Sequence, residues 1–256
     1  MKQVKDFTII DNCKLGESYC KMRLKPADDS SLPEFLPGQF VEIAVETPGV
    51  LLRRPISIND VDSSNNILTL LIRKAGTGTS ALIEMTAGQK LNIVLPLGNG
   101  FSTEAPAESR LLLIGGGVGV APLLYLGKVL KARGFKPEFL LGARSAADLL
   151  SIDEFRSVGE VHVCTEDGSE GVKGFVTAHP CLSEKFFRCY CCGPAPMMKA
   201  VAKAARANGI DCEVSLENMM ACGLGACLCC VEKTVKGNVC VCTEGPVFNI
   251  NDLTWE

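Results

Sequence analysis

The chain has no apolar stretch long enough to cross a bilayer as a helix. Its longest run without charge, Leu111 to Gly127, falls short of the roughly 20 residues a span needs, and Gly115, Gly116, Gly117, Gly119 and Pro122 interrupt it. The start, Met1-Lys-Gln-Val-Lys-Asp6, is charged but leads into no apolar core of a secretory signal, so a cytoplasmic location is the expectation. An excess of one charge is also lacking. The 26 Lys and Arg against 29 Asp and Glu give a net charge of -3 with the signs interspersed. That leaves no basic footprint for nucleic acid and no polybasic stretch for anionic lipid. Only two histidines, His162 and His179, are present, which makes histidine acid-base catalysis a poor expectation. Internal repeats and low-complexity tracts are absent.

What the chain does have is enough apolar residues to bury a core and an unusual number of cysteines. At 256 residues and 47% apolar it suits two compact domains plus a small appendage. Fourteen cysteines would suggest a disulfide framework in a small secreted protein. Here the chain is too long and too apolar to need such staples, and the vicinal pairs Cys191-Cys192 and Cys229-Cys230 are awkward to bridge. Metal and redox chemistry in a reducing compartment fits better. Cys13, Cys20, Cys164, Cys181, Cys189 and Cys212 read as small buried hydrophobes.

The terminal cysteines carry a pattern. Cys222-Gly-Leu-Gly-Ala-Cys227-Leu-Cys-Cys230, followed by Cys242, has the C-x4-C-x2-C…C spacing of plant-type 2Fe-2S ligation. Four soft thiolates gathered by a short glycine-containing loop and one distant cysteine suit two bridged irons. Cys229 and Cys240 offer competing thiols, and Cys227-x2-Cys230 is also compatible with zinc, which keeps a zinc-stabilised nucleotide-binding regulatory protein as the non-redox alternative.

Upstream of about Phe101 the signals are those of strands, at Gln39 to Val45, Pro55 to Ile58, Leu68 to Ile72 and Lys90 to Leu95, so a small antiparallel barrel is expected. Pro96-Leu-Gly-Asn-Gly-Phe101 and the apolar-poor Ser102 to Ser109 mark a boundary. After it, Leu111 to Ile114 reads as a buried strand and Ala121 to Lys131 as a helix with Pro122 in its first turn. Strands at Pro137 to Leu141, Glu160 to Cys164, Phe187 to Cys192 and Asp211 to Leu216 alternate with helices at Ala147 to Ser157 and Ala195 to Asn208. That alternation predicts a parallel sheet covered by helices. From Glu217 onward the cysteine loop, a turn at Lys236 to Asn238 and a proline-containing tail form a third, minor piece.

Two turns fall at the carboxyl edge of the predicted sheet, where such sheets bind ligands. Gly115-Gly116-Gly117-Val-Gly119-Val-Ala-Pro122 removes Cβ obstacles at a helix start and so suits a pyrophosphate, although it departs from G-x-G-x-x-G at Val120. Cys192-Gly193-Pro194 follows another strand, and a compact thiol there suits the face of a nicotinamide ring. In the barrel half, Arg54-Pro55-Ile56-Ser57 sets a guanidinium and a hydroxyl on a strand, and Gly76-Thr-Gly78-Thr79-Ser80 precedes a short helix over Ala81 to Met85. Together they suit a phosphorylated planar cofactor, against the plainer reading of a solvated arginine and an ordinary helix cap.

In this order, Arg54 to Ser57, Leu71-Ile72-Arg73, Gly78-Thr79, Pro96 to Phe101, the glycine turn, Cys192 to Pro194 and the cysteine set resemble the ferredoxin-reductase-like flavoproteins. Within them the chain resembles the electron-transfer subunits of dihydroorotate dehydrogenase B, most specifically at Ser215 to Asn218, Met220 to Cys227 and Cys242 to Phe248. The resemblance covers essentially the whole chain. It implies a β-barrel plus α/β architecture: an antiparallel FAD-binding barrel over 1–103, a parallel-sheet NAD-binding domain over 104–216 and a 2Fe-2S module over 217–256. FAD contacts then fall on Arg54, Pro55, Ile56, Ser57, Leu71, Ile72, Arg73, Gly78 and Thr79. NAD contacts fall on the glycine turn and Cys192, Gly193 and Pro194. Cluster ligands fall on Cys222, Cys227, Cys230 and Cys242.

A flavin mediates between a nicotinamide, which exchanges two electrons as hydride, and a cluster, which exchanges one at a time. The resemblance implies that electrons from the FMN of a catalytic partner pass through the cluster and FAD to NAD+, in a heterotetramer of two chains of each kind. No general base for a pyrimidine is evident, so dihydroorotate oxidation is expected on the partner. Met219, Met220, Leu224, Val247 and Phe248 are candidates for a docking face or for packing within the small module. The rival redox reading is the same role in another NAD(P)H-dependent complex, such as a hydrogenase, a sulfide dehydrogenase or a ferredoxin reductase. Arg144 and Ser145 leave NAD against NADP open.

Overall fold

The computed structural model describes residues 2–255. Six strands, β1 (Gln3–Leu15), β2 (Tyr19–Pro26), β3 (Phe40–Ile43), β4 (Arg54–Asp62), β5 (Ile67–Arg73) and β6 (Lys90–Leu97), close an antiparallel barrel in the order β1-β2-β5-β4-β3-β6. Strand β6 shows why: Leu91, Ile93, Leu95 and Leu97 are buried, and the residues between them face outward, the two-residue period of a strand with one face in a core. The helix α1 (Thr77–Glu84) leaves the barrel between β5 and β6.

The second layer is a parallel sheet. Its strands are β7 (Leu111–Gly116), β8 (Pro137–Ala143), β9 (Glu160–Thr165), β10 (Val172–Lys173), β11 (Arg188–Cys192) and β12 (Asp211–Ser215), ordered β10-β9-β8-β7-β11-β12. All six residues of β7 are buried, as expected of a strand covered on both faces. The covering helices are α2 (Ala121–Ala132), α3 (Ile152–Val158) and α4 (Ala195–Ala207). In α4 the buried residues Met198, Val201, Ala202 and Ala205 recur at i, i+3, i+4 and i+7, the stripe of a helix lying on a sheet.

The last segment contributes a hairpin of β13 (Val231–Thr234) and β14 (Gly237–Cys240), a short helix α5 (Val241–Glu244) and β15 (Val247–Asn249). β15 adds to the free edge of the large sheet, antiparallel to β12. Phe248 is therefore buried in the sheet's core cluster, and of the five docking candidates only Met219 and Leu224 are exposed.

Three details differ from the sequence expectations. Strands β1 and β2, the two-residue β10, the hairpin strands β13 and β14 and the edge strand β15 have no counterpart among the strands the sequence predicts. Helix α3 begins at Ile152, five residues later than expected, because Ser151 takes a left-handed backbone (φ 54) and Ala146–Asp148 forms only a 3-10 turn. Helix α1 begins at Thr77, so Thr79 and Ser80 lie inside its first turn. The Thr79 hydroxyl accepts from the Ala75 and Gly76 amides at 2.8 and 3.1 Å.

The barrel and sheet are bound together through α2. Buried Asn59 donates to the Ala121 carbonyl at 2.9 Å, the Tyr125 hydroxyl to the Phe35 carbonyl at 3.2 Å, and Lys128 pairs with Asp60 at 2.5 Å. Tyr190, fully buried in β11, donates to the Ser102 carbonyl at 2.8 Å and so fixes the linker between the two layers.

Candidate functional site

Three sites adjoin at the seam between these layers. The first is a cleft of about 270 Å³ walled by Pro55, Ile56 and Ser57 of β4, Leu71 and Arg73 of β5, and Thr79 of α1. Its other walls come from Val118 and Ala121 at the glycine turn and from Ser215, Leu216, Glu217, Asn218, Met220 and Pro246. Ile72 stands apart from these residues: its side chain is buried in the barrel core, because alternate residues of a strand face opposite ways.

Arg54 and Gly78 meet beside this cleft. The guanidinium donates to the Leu52 and Arg53 carbonyls, and the side-chain stem lies against Gly78, where an added Cβ would fall 3.1 Å from the arginine Cδ. A fixed cation over the first turn of a helix is suited to a phosphate.

Glu217, within the Ser215 to Asn218 match, had no role assigned from sequence. It opens into the cleft, yet the protein packed around it raises its carboxyl above the ordinary value, with Arg73 pulling the other way. Cys192 is buried close by. Burial pushes its thiol well up, the Glu217 charge adds to this, and Ser215 offers it a hydrogen bond. Such a thiol stays neutral, which suits packing against a ring rather than nucleophilic chemistry.

The second cleft, about 720 Å³, opens at the carboxyl ends of β7, β8 and β11 and is lined by Gly116, Gly117, Pro194 and Met197. Arg73 lines both clefts. Gly117 has a left-handed backbone (φ 57) and open space at its Cβ position, so it presents bare backbone to the cleft. Gly119 does not face the cleft. A Cβ there would sit 2.5 Å from the Cys192 carbonyl oxygen and from the Gly193 Cα, so this glycine lets the two turns touch. Gly115 is likewise a packing position, against Val120 and Leu123. At the far end stand Arg144, Asp148 and Glu166, and the Ser145 hydroxyl donates to Asp148 at 2.8 Å rather than facing outward alone.

The third site is the cysteine loop. Gly223, Gly225 and Leu228 take left-handed backbones, coiling the loop so that its amides turn inward. Leu224 N-H donates to the Cys222 Sγ at 3.3 Å, Gly225 N-H to the Cys242 Sγ at 3.2 Å and Cys242 N-H to the Cys230 Sγ at 3.4 Å. The Leu224 amide heads the causes that lower the Cys222 thiol to about 6, whereas burial, with the Cys230 sulfur adding, pushes the Cys242 thiol up to about 12. Cys222 lies beside Cys227, and Cys230 lies beside both Cys242 and Cys240. Among the described residues no three cysteine sulfurs lie within 4.8 Å of one another. A four-sulfur zinc tetrahedron has edges of roughly 3.8 Å, a compactness the cysteine loop does not show. Cys229 is exposed. Cys240 stays near, hydrogen-bonded to Cys230 and 3.8 Å from the Gly225 carbonyl.

Behind the loop lies Glu42 of β3, fully buried with neither carboxyl oxygen hydrogen-bonded, and burial lifts it to about 7. An added Cβ on Gly223 would fall 2.9 Å from its Cγ, so this carboxyl lies directly under the loop.

Comparison with known proteins agrees with this geometry. Residues 217–254 match the iron-sulfur cluster binding domain of dihydroorotate dehydrogenase B, and residues 113–203 match an oxidoreductase NAD-binding domain. The dihydroorotate dehydrogenase B (NAD(+)) electron transfer subunit of Fusobacterium nucleatum is 38% identical over 264 residues, covering 99% of this chain and 100% of the relative. The subunit of the same name from Lysinibacillus sphaericus is 43% identical over 226 residues, covering 84% and 86%. The chain belongs to the family of dihydroorotate dehydrogenase B electron-transfer subunits. A solved NADH-dependent reduced ferredoxin-NADP oxidoreductase, described for flavin-based electron bifurcation, superposes with a TM-score of 0.86 at 30% identity, covering 97% of this chain and 90% of that one.

In this electron-transfer subunit the close approach at Gly119 joins the two ligand-facing turns. Gly119→Ala should cost about 1–3 kcal/mol in urea unfolding, the range for overpacking a filled site, and should weaken NADH binding. Unchanged stability and NADH affinity would contradict that role.

Proposed function

We propose that this chain is the electron-transfer subunit of an NAD-dependent dihydroorotate dehydrogenase in pyrimidine biosynthesis. It works with a catalytic subunit, on which dihydroorotate is oxidised, and carries the resulting electrons from that subunit's FMN through its own 2Fe-2S cluster and FAD to NAD+. The single observation that carries the reading is the composition of the first cleft. Its walls come from the barrel, from the glycine turn of the sheet and from the segment that holds the cysteines, with Met220 two residues from Cys222 and Pro246 four from Cys242.

FAD, when bound, exchanges hydride with a nicotinamide and single electrons with a cluster. The chain's own residues do the placing. Pro55, Ile56, Ser57 and Leu71 wall the ring pocket, Arg54 with Gly78 and Thr79 receives the pyrophosphate, and Arg73 lies between the FAD and NAD clefts. Gly116, Gly117 and Pro194 receive the nicotinamide dinucleotide, with Cys192 and Gly193 closing the seam. Cys222, Cys227, Cys230 and Cys242 would hold the cluster, which supplies one-electron transfer. The amides of Leu224, Gly225 and Cys242, aimed at sulfurs of Cys222, Cys242 and Cys230, would stabilise added negative charge on the cluster. Exposed Cys229 is left outside the ligand set.

The domain limits that follow are 1–103 for FAD, 104–216 for NAD and 217–256 for the cluster. The assembly is a heterotetramer of two chains of each kind in the cytoplasm. Among the described residues no helix is long and apolar enough to cross a membrane. Met219 and Leu224, exposed on the cluster loop, face the partner. The similarity to the reduced ferredoxin-NADP oxidoreductase supports a second reading, the same device docked on a different catalytic subunit. Co-purification decides between them: a dihydroorotate-oxidising flavoprotein must accompany this chain.

Two outcomes test the assignments. Cys227→Ser should remove the iron and the cluster absorption while FAD stays bound, and loss of both together would show the partition to be wrong. The carboxylates of Asp148 and Glu166 beside Arg144 disfavour a 2'-phosphate, so kcat/KM should favour NADH over NADPH by about tenfold or more. Equal rates with the two nucleotides would overturn that reading of the cleft.

A further inference from the structure

We propose that Glu138, Glu160 and His162 form a divalent-cation site, selective for Zn2+, at the end of the parallel sheet away from the dinucleotide cleft. Glu138 is the second residue of β8, and Glu160 and His162 are the first and third of β9. The strands pair in register with Glu138 opposite Glu160, and the two-residue spacing on β9 puts Glu160 and His162 on one face. One ligand atom from each residue lies within 4.8 Å of the other two.

The two distances from the imidazole are longer than a normal hydrogen bond, and donors this far apart can share an ion. His162 Nε2 is 3.5 Å from Glu138 Oε2 and 3.8 Å from Glu160 Oε1, and it is a buried atom without a hydrogen-bond partner. Two donors of a tetrahedral zinc, with bonds of about 2.1 Å, stand roughly 3.4 Å apart, close to both distances from the imidazole. The imidazole selects zinc over Mg2+ and Ca2+, which prefer oxygen alone.

The neighbours are compatible with this. Arg110 donates to both Glu138 oxygens at 2.9 Å and is itself shared with Glu184 at 2.8 Å, and each carboxylate oxygen keeps a second lone pair. His179 packs on His162 with ring centroids 5.0 Å apart. Its Nδ1 accepts from the Cys181 amide at 3.2 Å, which puts the ring proton on Nε2 and leaves His179 to buttress the ligand ring rather than to bind the metal. Three protein ligands leave the fourth position to water, and the bound ion clamps β8 to β9 outside the electron path.

The test is calorimetric titration of ZnSO4 into anaerobically purified holoprotein with cluster and FAD loaded, in excess Mg2+. The wild type should take up a zinc ion that His162→Asn and Glu160→Gln bind at least about 100-fold more weakly, since even losing a partner behind a ligand costs about 10- to 100-fold. Glu160 is largely exposed, so its variant keeps the test valid if the histidine variant folds poorly. No zinc uptake by the wild type, or equal uptake by wild type and both variants through thiols elsewhere, would overturn the proposal.

Discussion

The docking of residues 243–249 between the barrel and the sheet determines where everything else can sit. The Asn99 side-chain amide donates to the Thr243 and Glu244 carbonyls at 3.1 and 2.9 Å, and its backbone N-H to the Gly245 carbonyl at 2.6 Å. A few residues on, the Leu216 amide donates to the Pro246 carbonyl at 2.8 Å, and β15 pairs Val247 with Ser215 and Phe248 with Val214. One short stretch is thus bound to the barrel at its start and to the sheet at its end. Gly98 lies so close beneath it that a Cβ would fall 2.5 Å from Pro246.

That fastening sets the position of the cysteine loop's last thiol and of a cleft wall at once, because Cys242 precedes it and Pro246 lies within it. Cys242 in turn meets Cys230 and the Gly225 amide, which fixes the loop carrying Cys222 and Cys227. The loop settles over Glu42 and Leu97 of the barrel, and Gly223 is the residue small enough to allow it. On the other side of the same cleft, Gly119 brings the glycine turn onto Cys192 and Gly193. The two clefts and the cysteine loop therefore share a seam. Neither layer could build it alone.

Much of this could be read from residues whose local pattern is strong. The run Leu111 to Ile114 before glycines announced β7, and the stripe in α4 announced its helix. The C-x4-C-x2-C…C spacing pointed to the iron-sulfur module that residues 217–254 match, because short local spacing survives in the sequence whatever the tertiary fold does. The barrel's first strands were harder. In β1 only Phe7 and Ile9 are buried, among lysines, aspartates and an asparagine, and in β2 the inward face is built partly of Cys20 and Met22, weak strand signals. β15 has three residues, too few for any period, and exists because the free edge of β12 accepts it. Glu217 and the shared position of Arg73 had no motif to flag their chemistry. Their significance lies in which chain segments meet across the cleft, a tertiary fact.

The central claim is that electrons must cross the cysteine loop to reach the nicotinamide. The direct measurement is dihydroorotate-driven reduction of NAD+ by the complex reconstituted with its catalytic subunit, comparing the wild type with a FAD-loaded, cluster-free Cys227→Ser chain, alongside NADH oxidation by an artificial acceptor that draws on FAD. The account predicts that the cluster-free complex loses coupled turnover and keeps the acceptor reaction. Coupled turnover at the wild-type rate without the cluster would contradict it.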